Sequence, residues 1–278
     1  MAIGDNKTKG SERAEGSSNL PKLNGKDWLR YSISLWDDLA KTAEERSLKH
    51  PAMFPTALTD RLLRIFYGEQ QGLVLDPFLG SGSTLCSAYR YGIPSVGFEI
   101  TEDYLDLAKK RLDQMEGDAL SYPRLIADDA RTMENYLNPE SVGLCITSPP
   151  YWNILRRRRS ADGKPLRYYG EDSMDLGNID EYQNFMDSLA AVFRQVYGCL
   201  APGAYCLVVV MDIRKGPRFY PLHMDLTAVM RQLGFLLDDL IIWDRRQEYN
   251  NLRPLGYPYV FRVNKIHEFI MIYQKPKG

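Results

Sequence analysis

Residues 73–84 read Leu73-Val74-Leu75-Asp76-Pro77-Phe78-Leu79-Gly80-Ser81-Gly82-Ser83-Thr84. A short apolar run closed by turn residues reads as a buried strand, here Leu73 to Phe78. The glycines let the backbone pass close to a ligand. The helix that opens at Ser83 and runs to Tyr91 offers unpaired N–H groups and positive potential at the same place. The loop is not a dinucleotide fingerprint, because Leu85 stands where the last glycine belongs. It is not a P-loop either, because no lysine follows Gly82.

Outward from this loop the chain alternates strand and helix. Ser95–Ile100, Arg124–Asp128, Val142–Thr147, Ala204–Met211, Leu237–Trp243 and Phe269–Gln274 read as further strands. Helical spacing marks the segments after Pro55, after Thr101, from Ile179 to Cys199 and from Pro221 to Leu233. Continuous apolar strands between helices predict an α/β fold, a mostly parallel seven-stranded sheet covered on both faces. Residues 1–24 are polar and small and read as a disordered tail, with Trp28–Leu48 a helical lead-in. Residues 25–278 then form a single domain. Ligands of such sheets bind at the carboxyl ends of the strands.

Composition bounds the function. The 278 residues carry a formal net charge of −1, so binding to nucleic acid through bulk positive charge is excluded and any such surface must be local. The cysteines Cys86, Cys145, Cys199 and Cys206 form no CxxC pair and sit in apolar runs. They read as reduced thiols of a cytoplasmic protein. No run is long and apolar enough for a membrane span. His50, His223 and His267 lack metal-ligand spacing, so no metal is expected.

Three further strand ends carry chemistry. Glu99 ends the second strand, where a carboxylate can accept ribose hydroxyls; a solvated strand end is the plainer alternative. Asp128-Asp129-Ala130 follows the third strand, where Asp129 can accept from an adenine amino group or simply cap a helix. Thr147-Ser148-Pro149-Pro150-Tyr151-Trp152 ends the fourth. Two consecutive prolines cannot continue a ladder, so the chain turns rigidly and fixes a hydroxyl, a carbonyl and a ring in one place.

At these residues the chain resembles the amino-methyltransferases of DNA, which act on N4 of cytosine or N6 of adenine. DPFLGSGST is similar to their cofactor loop, TSPPYW to their (S/N/D)PP(Y/F) motif, and Lys49–Pro55 to their HPAxFP segment. The resemblance spans Trp28 to Lys275 and implies a Rossmann-like S-adenosylmethionine-dependent methyltransferase fold. It implies catalysis by Ser148, Pro149, Pro150 and Tyr151. Cofactor contacts are then expected from His50, Phe54, Pro55, Asp76, Phe78, Gly80, Ser81, Gly82, Ser83, Thr84, Glu99 and Asp129, with the methionine carboxylate at the helix N-terminus after Pro55. Serine at position 148 is commoner among the N4-cytosine enzymes. The absence of a Pro-Cys dipeptide argues against methylation at cytosine C5.

The implied substrate is a base flipped out of double-stranded DNA, stacked on Tyr151. Two loops, at about 153–180 and 244–266, are expected to meet the duplex. The first carries Arg156, Arg157, Arg158, Arg159 and Arg167; the second carries Arg245, Arg246 and Arg253 among Tyr249, Tyr257, Tyr259 and Phe261. Solvated loops are the plainer reading of both. A cognate restriction endonuclease is a further implied partner. The alternatives are N6-adenine methylation, or a nucleic-acid-binding protein that keeps the fold without the activity.

Overall fold

The structure is a computed structural model that describes residues 19–48, 53–68, 72–116, 121–154, 175–248 and 252–277. Its elements run α1 (Gly25–Tyr31), β1 (Leu35–Trp36), α2 (Ala43–Ser47), α3 (Thr56–Phe66), β2 (Leu73–Asp76), α4 (Ser83–Arg90), β3 (Ser95–Phe98) and α5 (Glu102–Asp113). There follow β4 (Arg124–Ile126), β5 (Val142–Thr147), α6 (Tyr182–Cys199), β6 (Leu200–Val210), β7 (Ile213–Lys215), β8 (Arg218–Tyr220), α7 (Leu222–Gln232), β9 (Leu236–Asp244) and β10 (His267–Gln274).

The main sheet has eight strands in the order β1-β9-β10-β6-β5-β2-β3-β4. β10 runs antiparallel to both its neighbours, and the other pairings are parallel. The seven strands expected from the sequence are all present. The eighth is β1, two residues of the segment read as a helical lead-in, which adds to the β9 edge by pairing Leu35 with Ile242 and Trp36 with Trp243. A run so short has no periodicity to read; burial of Trp36 and Trp243 against each other's strand explains it. β7 and β8 form a separate hairpin that no sequence pattern marks.

Alternation along the central strands explains the continuous apolar runs. Cys145 of β5 and Cys206, Val208 and Val210 of β6 join one core, under α6 and α7. Leu144 and Ile146, with Leu207 and Val209, join the other, under α3. Both faces are therefore buried along Leu144–Ile146 and Cys206–Val210, and every position of those stretches is apolar. All four cysteines are buried and free. Residues 19–24, assigned above to the tail, lie against the body: Asn19 N–H donates to the Tyr91 carbonyl at 2.9 Å, and Leu20 packs on the core. Among the described residues no helix is long and apolar enough to cross a membrane.

Candidate active site

β2, β3 and β5 are neighbours and parallel, so their carboxyl ends open at one edge of the sheet, and the motifs that follow them converge there. Asp76 closes β2. Its Oδ1 accepts the Phe78 N–H at 3.1 Å and the Thr147 hydroxyl at 2.7 Å, tying the glycine loop to the end of β5. Its Oδ2 is buried with no hydrogen-bond partner, and burial pushes the carboxyl up to about 6. Gly82 caps α4 with φ 79°, and a Cβ there would lie 2.9 Å from Ala108 Cβ. Only glycine suits both demands.

A pocket of about 860 Å³, open mouth included, lies over these strand ends. Phe78, Gly80, Ser81 and Ser83 line one wall, Ser148, Pro149 and Pro150 another, and Glu99 and Asp129 a third. Glu99 bridges two of its segments: Oε2 accepts the Gly80 N–H at 2.8 Å and Oε1 the Thr101 N–H at 2.9 Å. Burial raises the Glu99 carboxyl, those two N–H groups hold it back, and the neighbouring Asp175 pushes it up again. Asp129 caps the 3-10 turn Ala130–Asn135, accepting the Arg131 N–H at 2.8 Å and the Arg131 guanidinium on both oxygens. Asp129 is thus a cap that also lines the pocket.

Ser148 is half-buried, and its Oγ stands 3.1 Å from the Tyr151 hydroxyl. Tyr151 itself turns away from the pocket. Its ring is buried, and its hydroxyl donates to Glu268 Oε2 at 3.0 Å. In this arrangement the ring offers no face to a stacked base, contrary to the expectation from the motif; a phenol beside a buried carboxylate is drawn inward by a charge-assisted bond. Trp152, at φ 51°, is core: its Nε1 donates to the Ile179 carbonyl at 2.8 Å, and Lys215 Nζ sits 3.4 Å from its ring centre.

The N6/N4 DNA methylase family model matches residues 5–110 and 142–278. The chain belongs to this DNA methylase family. Over 74 residues it is 46% identical to the Type II methyltransferase M.ScaI of Streptomyces caespitosus, a match covering 27% of this chain and 24% of that one. The chain thus spans about a quarter of the length of that curated relative. Among solved structures, TrmN from Thermus thermophilus matches its fold, with a TM-score of 0.52 and 16% identity over 81% of this chain and 50% of that one. A second Thermus thermophilus protein, described as a putative DNA modification methylase and solved in complex with S-adenosyl-L-methionine, is 29% identical over 54% of this chain and 52% of that one, with a TM-score of 0.38.

The residues present fit the S-adenosylmethionine that the sequence motifs imply. The pocket offers the carboxylates of Glu99, Asp129 and Asp175 around an apolar slot that includes Phe78 and Tyr104. That acidic lining suits a cationic nucleoside with hydroxyl and amino hydrogens to give. Asp175, Leu176 and Tyr104 escaped the sequence reading. Asp175 starts a three-residue 3-10 turn after residues 155–174, which lie outside the described residues, and no periodic element carries it to the pocket.

Several expected contacts fall elsewhere. Asp76, Gly82 and Thr84 lie beneath the loop and shape it without lining the pocket; Pro55 caps α3. Phe54 does line the pocket, and His50 is outside the described residues. The α3 N-terminus, expected to hold the methionine carboxylate, is occupied by the protein's own anion. Glu45 Oε1 accepts both the Thr56 N–H and the Thr56 hydroxyl at 2.8 Å. Burial raises that carboxyl, but the bonds from Thr56 and Thr42 and the charge of Arg111 outweigh it and leave it lowered. Arg111 also donates to the Ser81 carbonyl at 2.5 Å, bracing the glycine loop.

The arginines divide likewise. Arg156 to Arg159 and Arg167 lie outside the described residues. Arg245 is turned inward, its guanidinium committed to Glu268 and Glu248 and set over the Trp243 ring, so it is not a surface contact for DNA. Arg246 is exposed and paired with Asp244, and Arg253 is exposed. Tyr259 and Phe261 are 94% and 91% exposed.

Proposed function

We propose that this DNA methylase transfers a methyl group from S-adenosylmethionine to N4 of a cytosine extruded from duplex DNA. One observation carries the reading: Ser148 and Pro149 line the same pocket as the glycine loop and Glu99, so an amine held by the turn faces a cofactor held by the loop. Glu99 would take the ribose hydroxyls, Asp129 the adenine amino group, and Phe78 with the 79–81 backbone the methionine portion. When bound, the cofactor supplies a sulfonium methyl, so the N–CH3 bond forms as the S–CH3 bond breaks and one amine proton is released.

The protein's own part is positional. An exocyclic amine is a poor nucleophile while its lone pair is delocalised into the ring. Ser148 Oγ and the Pro149 carbonyl accept its two hydrogens, draw the nitrogen toward tetrahedral geometry and free the lone pair. Fixed dipoles that need no reorganisation lower the barrier without a metal ligand or covalent intermediate. The base reaches the pocket only by leaving the stack. A serine at 148 supports cytosine N4 over adenine N6. Arg253, with the exposed Tyr259 and Phe261, supports a DNA-facing role for the 252–265 loop, whose end leads into β10 beside the catalytic turn.

The test is mass spectrometry of nucleosides from duplex DNA incubated with the full chain and labelled cofactor. Labelled N4-methylcytosine is expected. N6-methyladenine alone would overturn the choice of base, and no labelled nucleoside the proposal as a whole.

A further inference from the structure

Behind Ser148 the described residues hold a buried polar chain whose inner members the methylation reading does not use. From the pocket inward it runs Ser148 Oγ, Tyr151 hydroxyl, Glu268 carboxylate, Arg245 guanidinium. Glu268 is 3% exposed and sits at the start of β10, paired across to Trp243 of β9. Arg245 holds its Oε1, leaving Oε2 for Tyr151.

The direction of these bonds follows from donor arithmetic. A carboxylate paired with a guanidinium only accepts, so the single Tyr151 hydrogen goes to Glu268 Oε2. The Val209 carbonyl, at 3.5 Å, is a weaker competitor for it. The bond between Ser148 and Tyr151 must then be donated by serine. That commits the only hydrogen of Ser148 inward and turns the lone pairs of Oγ toward the pocket. A carboxylate at position 148 would need no such device, because it has no hydrogen to misplace. A hydroxyl does need it, since a serine that pointed its hydrogen at the substrate amine would repel rather than accept.

We propose that Glu268, fixed by Arg245, is a positioning residue that acts through Tyr151 to make Ser148 a pure hydrogen-bond acceptor for the substrate amine. The inference rests on the methyl-transfer reading above but not on which base is methylated.

Two measurements test it on the full chain. In Glu268→Gln, Arg245 claims the amide oxygen and the NH2 faces Tyr151, so the tyrosine hydrogen swings toward Ser148 and the serine hydrogen toward the pocket. Turnover in Glu268→Gln and in Tyr151→Phe is expected to fall by about tenfold or more with cofactor affinity unchanged, and the double variant to be no slower than the worse single. Losses that multiply, or Glu268→Gln within about twofold of wild type, would overturn the proposal. The second measurement needs no activity: proton NMR should show a slowly exchanging downfield hydroxyl signal that disappears in Tyr151→Phe and moves upfield in Glu268→Gln. A signal that ignores Glu268→Gln overturns it too. Failure of methyl transfer in the wild-type chain would strike the functional reading, while the NMR arm would still decide this one.

Discussion

Glu99 takes the Gly80 N–H on one carboxylate oxygen at 2.8 Å, so the residue that follows β3 also fixes the loop that follows β2. Its carboxyl is raised above the ordinary range chiefly by burial. If cofactor hydroxyls donate to it, binding needs the ionised form. Affinity should then be full at neutral pH and fall as pH drops through that raised value, earlier than for an unperturbed glutamate. Glu99→Gln should weaken binding by about tenfold or more, as expected for bonds to a charged acceptor, and flatten the pH dependence. Isothermal titration from pH 5 to 8 checks both; equal affinities at neutral pH would remove Glu99 from the cofactor site.

Asp76 predicts a different pH effect, on stability. Its folded carboxyl is pushed up to about 6 from the ordinary 3.8, with Oδ2 buried and unbonded. The folded chain therefore holds this proton more tightly than the unfolded one. Stability from this group is greatest below about 4 and falls as pH rises to about 6, by a quantity on the order of 3 kcal/mol. Asp76→Asn keeps one oxygen for Phe78 and Thr147 and carries no charge. Its melting temperature should exceed wild type at pH 8, with the gap closing toward pH 4. A constant gap would mean that the charge is not the cause.

Gly82→Ala sets a Cβ 2.9 Å from Ala108 Cβ at φ 79°. Strain at such a position costs about 1–3 kcal/mol, read as a lower urea midpoint with unchanged slope. Since Gly82 opens α4 directly behind the pocket loop, cofactor affinity should fall with it. Wild-type stability in this variant would mean that the loop yields freely there.

How much of this was legible beforehand follows from what each residue depends on. The central strands β2, β3 and β5 and the second half of β6 have two buried faces and so announce themselves as mostly apolar runs, and β5 matches its expected bounds, Val142–Thr147. The pocket walls at Phe78, Glu99, Asp129 and Ser148 were legible because strand-end motifs share one edge of a parallel sheet. The inward turn of Tyr151 and Arg245 was not, because it depends on Glu268, 117 residues away in the chain from Tyr151. Nor was the Glu45 anion on α3, since a helix N-terminus is equally suited to a ligand or to a side chain eleven residues earlier. Both misses concern which of two equivalent partners a charged group finds, and that is settled by packing between distant elements.

The second arginine segment gives a graded prediction for DNA binding. Arg253 is exposed, whereas Arg246 already shares its charge with Asp244 through two of its nitrogens. Releasing a phosphate counterion requires net positive charge, so a neutralised arginine contributes little. Arg253→Ala should reduce the magnitude of the slope of log affinity against log salt by about one, while Arg246→Ala changes it by clearly less. Asp244→Asn frees Arg246 and should steepen the slope. Arg245→Ala, by contrast, breaks a buried pair and should lower thermal stability whatever DNA is present. Fluorescence anisotropy with a duplex over a salt series reads the slopes. Equal effects of Arg253→Ala and Arg246→Ala would show that ion pairing on the free protein does not decide which arginine meets the phosphates.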